Sequence, residues 1–239
     1  MIPEYLQVIA LTLMAGGAMP VGGAIAWFEK IRPQWLEREF RHTVIAFGGG
    51  ALLSAVALVL VPEGTERLSL LPIILSLSAG GLAFLGLDLY LAKSQTSASQ
   101  LAAMLADFLP EALALGASFA LGNPTGLLLA LLIALQNLPE GFNAYRELRE
   151  STKLSPFQLI GAFSLMALLG PVAGLIGYFV LASFPATVSA IMLFAAGGIL
   201  YLVFQDIAPQ SRLERHWTPP LGAVAGFLLG VIGEKLTNS

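Results

Sequence analysis

The chain has 239 residues, of which 56% are hydrophobic and only 11% are charged. Soluble domains carry about 25% charged residues, so this composition predicts a single polytopic membrane domain over residues 1–239, with little room for a separate soluble domain. The net charge of −3 provides no basic surface for nucleic acid. The absence of cysteine excludes disulfides, thiolate metal sites and cysteine chemistry.

Eight apolar segments are long enough to cross or nearly cross a bilayer, which takes about 20 helical residues. They lie at about 4–28, 43–62, 69–92, 100–121, 125–146, 157–181, 185–208 and 218–236. No positively charged stretch precedes the first segment, so we interpret it as a span and not as a cleaved signal. Small residues cluster at 14–23 and 48–50, as expected where helices pack closely. We therefore predict an all-α integral membrane protein with eight transmembrane helices.

Lys and Arg are distributed unevenly between the two ends of these segments. Ten of the 12 fall in the first, third, fifth and seventh connections: Lys30, Arg32, Arg38, Arg41, Lys93, Arg146, Arg149, Lys153, Arg212 and Arg215. The positive-inside rule then places these connections in the cytoplasm and both termini outside it, in the cell (inner) membrane. The two histidines, His42 and His216, lie in the same connections, and we interpret them as solvated side chains.

The fourth and fifth segments carry the same local pattern. Residues 107–112 read DFLPEA and residues 136–141 read QNLPEG, so each has a carboxylate directly after a proline inside an apolar run. Between the segments, residues 122–126 predict a tight turn and hence antiparallel neighbouring helices. Groups at equal distance from that turn then lie at equal depth, roughly 19–25 Å from it at ~1.5 Å per residue.

Four oxygen-bearing side chains are therefore predicted to converge at one point in the membrane: Asp107, Glu111, Gln136 and Glu140. A charge near the bilayer centre costs a few kcal/mol or more, so such residues usually mark an ion path. Single polar residues in membrane helices otherwise serve as hydrogen-bonding contacts between helices. Two further acids, Asp88 and Asp206, lie near segment ends where charge costs little, and both roles stay open for them.

At these residues the chain resembles the ZIP (Zrt/Irt-like) family of divalent metal transporters, whose members have eight spans with both ends outside. That family carries His-Asn-x-Pro-Glu-Gly in its fourth helix and a related motif in its fifth. Residues 195–198, which read AAGG and run on to Asp206 and Pro209, also resemble the family. The resemblance implies a bundle in which helices 1, 4, 5 and 6 carry the metal and move against helices 2, 3, 7 and 8. It implies a metal site at Asp107, Glu111, Gln136 and Glu140, with Asn137 in a neighbouring second site.

Three positions depart from the pattern of that family. Asp107 stands where the family usually has histidine, Phe108 where it usually has asparagine, and Gly170 where it commonly has glutamate. The first site keeps four ligand residues, whereas the second keeps Asn137 and loses the other two. We therefore expect one mononuclear site made only of oxygen ligands, which suits hard ions better than a histidine-bearing site does. Zinc, manganese, iron(II) and cadmium are all expected to bind as the transported substrate.

The expected function is uptake of a divalent metal cation toward the cytoplasm, without enzymatic activity. Three carboxylates at one site repel one another, so we expect at least one to be protonated without metal and metal binding to release protons. The expected partners are metal cations and the lipid bilayer. Homodimers are common in the resembled family, and the sequence leaves the oligomeric state open.

Two alternatives remain open. A ZIP-like protein that has lost transport would serve as a metal sensor or scaffold. An intramembrane aspartyl hydrolase would need two carboxyls that share a proton, such as Asp107 and Asp206. The Gly-x-Gly-Asp motif usual in such hydrolases is absent from the chain.

Overall fold

The computed structural model describes residues 3–29, 34–94, 97–122, 125–213 and 217–237 of the chain. Within these ranges the regular structure is entirely helical. Eight helices are long and apolar enough to cross a membrane: span 1 (Glu4–Phe28), span 2 (Arg38–Thr65), span 3 (Leu70–Leu91), span 4 (Leu101–Ala120), span 5 (Gly126–Ser151), span 6 (Pro156–Ser183), span 7 (Pro185–Ser211) and span 8 (Thr218–Thr237). The all-α class and the eight spans predicted from the sequence are confirmed.

Six of the eight spans agree with the predicted boundaries to within about three residues. Span 2 begins earlier than predicted, since its helix starts at Gln34, and span 5 continues past residue 146 to Ser151. Both extensions are polar, so a hydropathy pattern omits them. The helices nevertheless continue there, because a helix, once formed, propagates readily through Glu and Arg. Span 2 therefore contains His42, which the sequence had placed in a connection, and its Nδ1 lies 2.7 Å from the carbonyl oxygen of Arg38. The other histidine, His216, lies outside the described residues.

Spans 2 and 7 each contain a π-helical segment that ends just before a proline. The segment Val56–Leu60 precedes Pro62, and the segment Val203–Ile207 precedes Pro209. Proline has no N–H to donate to the preceding turn, so the ordinary helical bonds are interrupted there. Such π-segments occur often at functional sites. The one in span 7 carries Asp206.

Span 5 lies at the centre of the bundle. It packs most extensively against span 1, and it also contacts spans 2 and 4. Other extensive pairings join span 1 to span 6, span 2 to spans 7 and 8, span 3 to span 7, and span 4 to span 6. Spans 2 and 5 are the most buried, whereas spans 3 and 8 are the least buried. The two Pro-Glu motifs therefore belong to packed helices.

Three consecutive glycines let span 2 contact three helices at one level. A Cβ on Gly48 would lie 3.2 Å from Pro139 of span 5, and a Cβ on Gly49 would lie 2.7 Å from a side chain of span 7. A Cβ on Gly50 would overlap the backbone of span 8. Consecutive helical residues point about 100° apart, so these glycines face three directions. The close packing predicted for this small-residue cluster is confirmed.

Candidate functional site

A buried polar pair joins span 4 to span 5. The amide nitrogen of Gln136 donates to both carboxylate oxygens of Glu111, each at 2.7 Å. The exposed fractions of the two side chains are 2% and 0%. The structure thus brings together two residues that the spacing placed at equal depth. Span 4 is followed by Gly122, whose φ of 71° is in the left-handed region that favours glycine.

Two neighbouring amides of span 5 each keep an oxygen atom without a hydrogen-bond donor. Gln136 Oε1 and Asn137 Oδ1 are buried and find no donor among the described residues. The other end of the Asn137 amide, Nδ2, donates to the carbonyl oxygen of Ala15 in span 1 at 3.0 Å. A buried unpaired polar atom costs about 1–3 kcal/mol and calls for an explanation in a native structure. Amide oxygens of this kind are ligands for hard cations.

A cavity of about 120 Å³ lies beside the buried pair. Its polar lining runs through spans 4, 5 and 7: Asp107, Gln136, Glu140, Asn143, Asp206 and Gln210. Asp206 and Gln210 are exposed, so the cavity opens at that end of the bundle. Since Gln136 both lines the cavity and contacts Glu111, it connects this deeply buried carboxylate to the open end.

The three carboxylates of spans 4 and 5 interact electrostatically without forming a closed ligand cage. Asp107 is within electrostatic range of both Glu111 and Glu140. Among the described residues, no three His, Cys, Asp or Glu side chains lie close enough together to hold a metal ion. The Gln136 amide lies against both oxygens of Glu111. The metal site predicted at these residues and Asn137 therefore stays a prediction.

The next residue of span 4, Phe108, fills the space on another side of the site. Its side chain is 1% exposed. A Cβ on Gly16 of span 1 would lie 2.8 Å from the ring atom Cζ, and a Cβ on Gly170 of span 6 would lie 2.7 Å from it. The ring fits because both positions lack a side chain. Sequence reasoning singled out Phe108 and Gly170, but it did not show that they are neighbours.

The two acids near span ends have different surroundings. Tyr201 donates a hydrogen bond to Asp88 Oδ2 at 2.9 Å, which joins span 7 to span 3. Asp206 lines the cavity, and it interacts electrostatically with Asp88 and with Glu147. Of these two acids, Asp206 is the candidate for the ion path.

Sequence reasoning missed a polar cluster at the open end of the cavity. Arg41 Nε donates to Asn143 Oδ1 at 3.3 Å, and Asn143 Nδ2 donates to Glu147 Oε1 at 3.0 Å and to Gln210 Oε1 at 3.2 Å. Asn143 follows Glu140 by three residues, a spacing that puts both on one helix face. That spacing was visible in the sequence, whereas the partners on spans 2 and 7 were not.

No protein-family model and no curated protein matches this chain. The resemblance to the ZIP family therefore depends on the motifs of spans 4, 5 and 7 alone.

Proposed function

We propose that the chain is a ZIP-like transporter that takes up a divalent metal cation, with the metal as its substrate. The observation that carries the proposal is the buried Glu111–Gln136 pair beside a cavity that opens at Asp206 and Gln210. Burial of a carboxylate in an apolar bundle costs several kcal/mol, which helix packing alone does not require. A path for a cation explains both the buried carboxylate and the open cavity.

Gln136 changes from a hydrogen-bond donor to a metal ligand when a cation binds. Its Nε2 group now lies against both oxygens of Glu111, where it supplies the partial positive charge that a metal ion would supply. Rotation of the amide by about half a turn presents the unpaired Oε1 in place of Nε2, so that donor becomes ligand. Asp107 and Glu140 complete the set from the cavity side. Asn137 offers an adjacent buried amide oxygen.

The proposed orientation has both termini outside the cytoplasm. The cavity opens at the ends of spans 2, 5 and 7 that adjoin the basic connections, so on this orientation it faces the cytoplasm. A tag at either terminus is expected to react with a membrane-impermeant reagent added to intact cells. A C-terminal tag that does not react in intact cells would contradict the proposed placement of both termini outside the cytoplasm.

The proposed moving group consists of spans 1, 4, 5 and 6, and the frame consists of spans 2, 3, 7 and 8. Packing supports this division, because the extensive pairings join span 1 to 5 and 6, span 4 to 6, span 2 to 7 and 8, and span 3 to 7. Each of these pairings stays inside one group. Contacts of span 5 with span 2, and of span 4 with span 7, form the boundary across which the groups would move.

Uptake by the purified chain in liposomes tests the proposal. Manganese and zinc uptake, followed with a metal-sensitive dye inside the vesicles, is expected to exceed uptake by protein-free vesicles. An ionophore added at the end serves as the control for vesicle integrity. Metal binding without uptake would favour the sensor or scaffold alternative, and the absence of both would reject the metal proposal.

The hydrolase alternative has less support. An aspartyl dyad requires two carboxyls that share a proton. The acids within electrostatic range of Asp206 include Asp88 and Glu147, whereas those of Asp107 are Glu111 and Glu140. Although Asp107 and Asp206 line the same cavity, each is thus paired with other acids.

A further inference from the structure

We propose that the side chain of Asn143 is a latch that holds spans 2, 5 and 7 in their present arrangement at the exposed end of the cavity. Both of its amide hydrogens and its amide oxygen take part in hydrogen bonds. Its Oδ1 accepts from Arg41 of span 2 at 3.3 Å, and its Nδ2 donates to Gln210 of span 7 at 3.2 Å and to Glu147 of its own helix at 3.0 Å. One amide therefore joins three helices at the mouth of the cavity.

The position of these bonds makes them sensitive to helix movement. Asn143 and Gln210 both line the cavity, on span 5 and span 7 respectively. Hydrogen bonds weaken steeply beyond about 3.5 Å, so a shift of roughly 1 Å between these helices would break the contact. The bonds can thus form only in arrangements close to the present one, and they stabilise it relative to any other.

Charge near the mouth is balanced in this arrangement. Glu147 of span 5 interacts with Asp206 of span 7 and with Arg41 of span 2. Two carboxylates alone would push the helices apart, and the guanidinium of span 2 offsets that repulsion. Asn143 fixes this guanidinium by accepting from its Nε. The latch therefore consists of an amide and a cation held in place by that amide.

The same three helices are tied at their opposite end by different residues. Thr125 of span 5 donates to the carboxylate of Glu63 in span 2, and Ser189 of span 7 donates to the carbonyl oxygen of Glu63 at 3.3 Å. The core beside that end contains fully buried side chains such as Leu60 and Leu129. The chain is thus closed at the Glu63 end and open at the Asn143 end.

This inference rests on the proposed transporter function for its purpose, because a transporter must leave the present arrangement to load from the other side. Its test does not need metal. The chain has no cysteine, so one introduced cysteine is the only thiol. Ala103→Cys reports on the cavity, which Ala103 lines. Ser118→Cys is a close isostere at a position that is 0% exposed here, two turns beyond Glu111 on the same face of span 4.

The measurement is the labelling rate of the thiol at position 103 divided by that of the thiol at position 118. It is made in nanodiscs, where a charged maleimide reaches both faces of the bilayer. The thiol at position 103 reacts in the present arrangement, and the thiol at position 118 reacts only when the far end opens. Asn143→Leu, introduced into each reporter, keeps the volume and removes the three hydrogen bonds. We expect it to lower the ratio about tenfold, as the loss of two bonds between helices predicts.

Two variants control for general loosening of the bundle. Tyr201→Phe removes a hydrogen bond between spans 3 and 7 that does not involve span 5, and it is expected to leave the ratio within about twofold. Asn143→Asp keeps an acceptor for Arg41 and is expected to lie between wild type and Asn143→Leu. Should Asn143→Leu fail to fold, Gln210→Leu at an exposed position removes the span 7 bond alone and is expected to lower the ratio about threefold.

The outcomes distinguish failure of the latch proposal from failure of the transport proposal. A lowered ratio in a chain that takes up no metal supports the latch and rejects the transport proposal. A ratio that is unchanged or raised in both Asn143→Leu and Gln210→Leu overturns the latch, whether or not the chain transports. Metal uptake by the same variants is recorded separately.

Discussion

Two faces of span 4 differ in polarity: one carries Asp107 and Glu111, and the other carries Phe108. Asp107 lines the cavity, and Glu111, one turn later, is held by the Gln136 amide. On the next face, the ring of Phe108 lies close to Gly16 and Gly170, whose lack of side chains leaves space for it. Burial of a phenyl ring stabilises the fold by about 1.5–3 kcal/mol, whereas burial of a carboxylate costs free energy. Helix packing therefore accounts for the aromatic face, but it does not by itself account for the polar face.

This difference bears on how many ions the site can hold. In the resembled family, asparagine and glutamate usually occupy the positions of Phe108 and Gly170. Here the ring and the glycine fit each other, so the space for a second ligand group is taken up by apolar atoms. For the proposed transporter, we therefore expect one ion per chain, bound on the polar face.

The largest expected effect is on the polar face. Glu111→Ala and Glu140→Ala should each abolish metal binding measured by calorimetry, because each deletes a charged ligand that water in an apolar site replaces poorly. Asp88→Ala is the matched control, since Asp88 is an acid at a span end that contacts Tyr201 instead of the site. Unchanged affinity in either glutamate variant would reject the proposed ligand set.

The aromatic face should respond in stability and much less in binding. Gly170→Ala places a methyl group 2.7 Å from the Phe108 ring and 3.0 Å from the carbonyl oxygen of Thr12. Overpacking of this kind costs about 1–3 kcal/mol, so the midpoint of thermal unfolding in detergent should fall. Gly161→Ala in the same span meets nothing within 4 Å, and its midpoint should stay constant or rise slightly.

A further variant tests whether the ring is the cause. Combining Gly170→Ala with Phe108→Leu removes the atom that the new methyl group would meet, so the double variant should recover part of the loss caused by Gly170→Ala. Equal midpoints for Gly170→Ala and Gly161→Ala would show that Phe108 and Gly170 do not constrain each other.

The sequence predicted the features that depend on local composition or on one short turn. Eight spans follow from hydropathy alone, and the approach of Glu111 to Gln136 follows from equal spacing about the connection between spans 4 and 5. The start at Gln34 of the helix that contains span 2 was missed because a polar helix has no hydropathy signal.

Contacts among three helices could not be predicted in the same way. The enclosure of Phe108 requires that spans 1, 4 and 6 meet at one level, and the contacts of Asn143 require the same of spans 2, 5 and 7. Each helix contributes a residue that is unremarkable in its own segment. Only the tertiary arrangement shows that these residues are partners, whereas spacing along one helix does not.

The smallest expected effect concerns the choice of metal at residue 107. Its carboxylate makes the ligand set all-oxygen, and carboxylate and amide oxygens suit manganese, while imidazole suits zinc and other borderline metals. Zinc still outranks manganese in the usual affinity order. An all-oxygen site should therefore prefer zinc over manganese by less than a histidine-bearing site does, without reversing that preference. Asp107→His should therefore shift competition between manganese and zinc toward zinc, by about tenfold if one ligand bond is exchanged.

The measurement is displacement of bound manganese by zinc on both forms, with Asp88→His as the control for an added imidazole outside the site. An equal displacement ratio in wild type and Asp107→His would mean that residue 107 does not contact the metal, and the ligands would then come from Glu111, Gln136 and Glu140 alone.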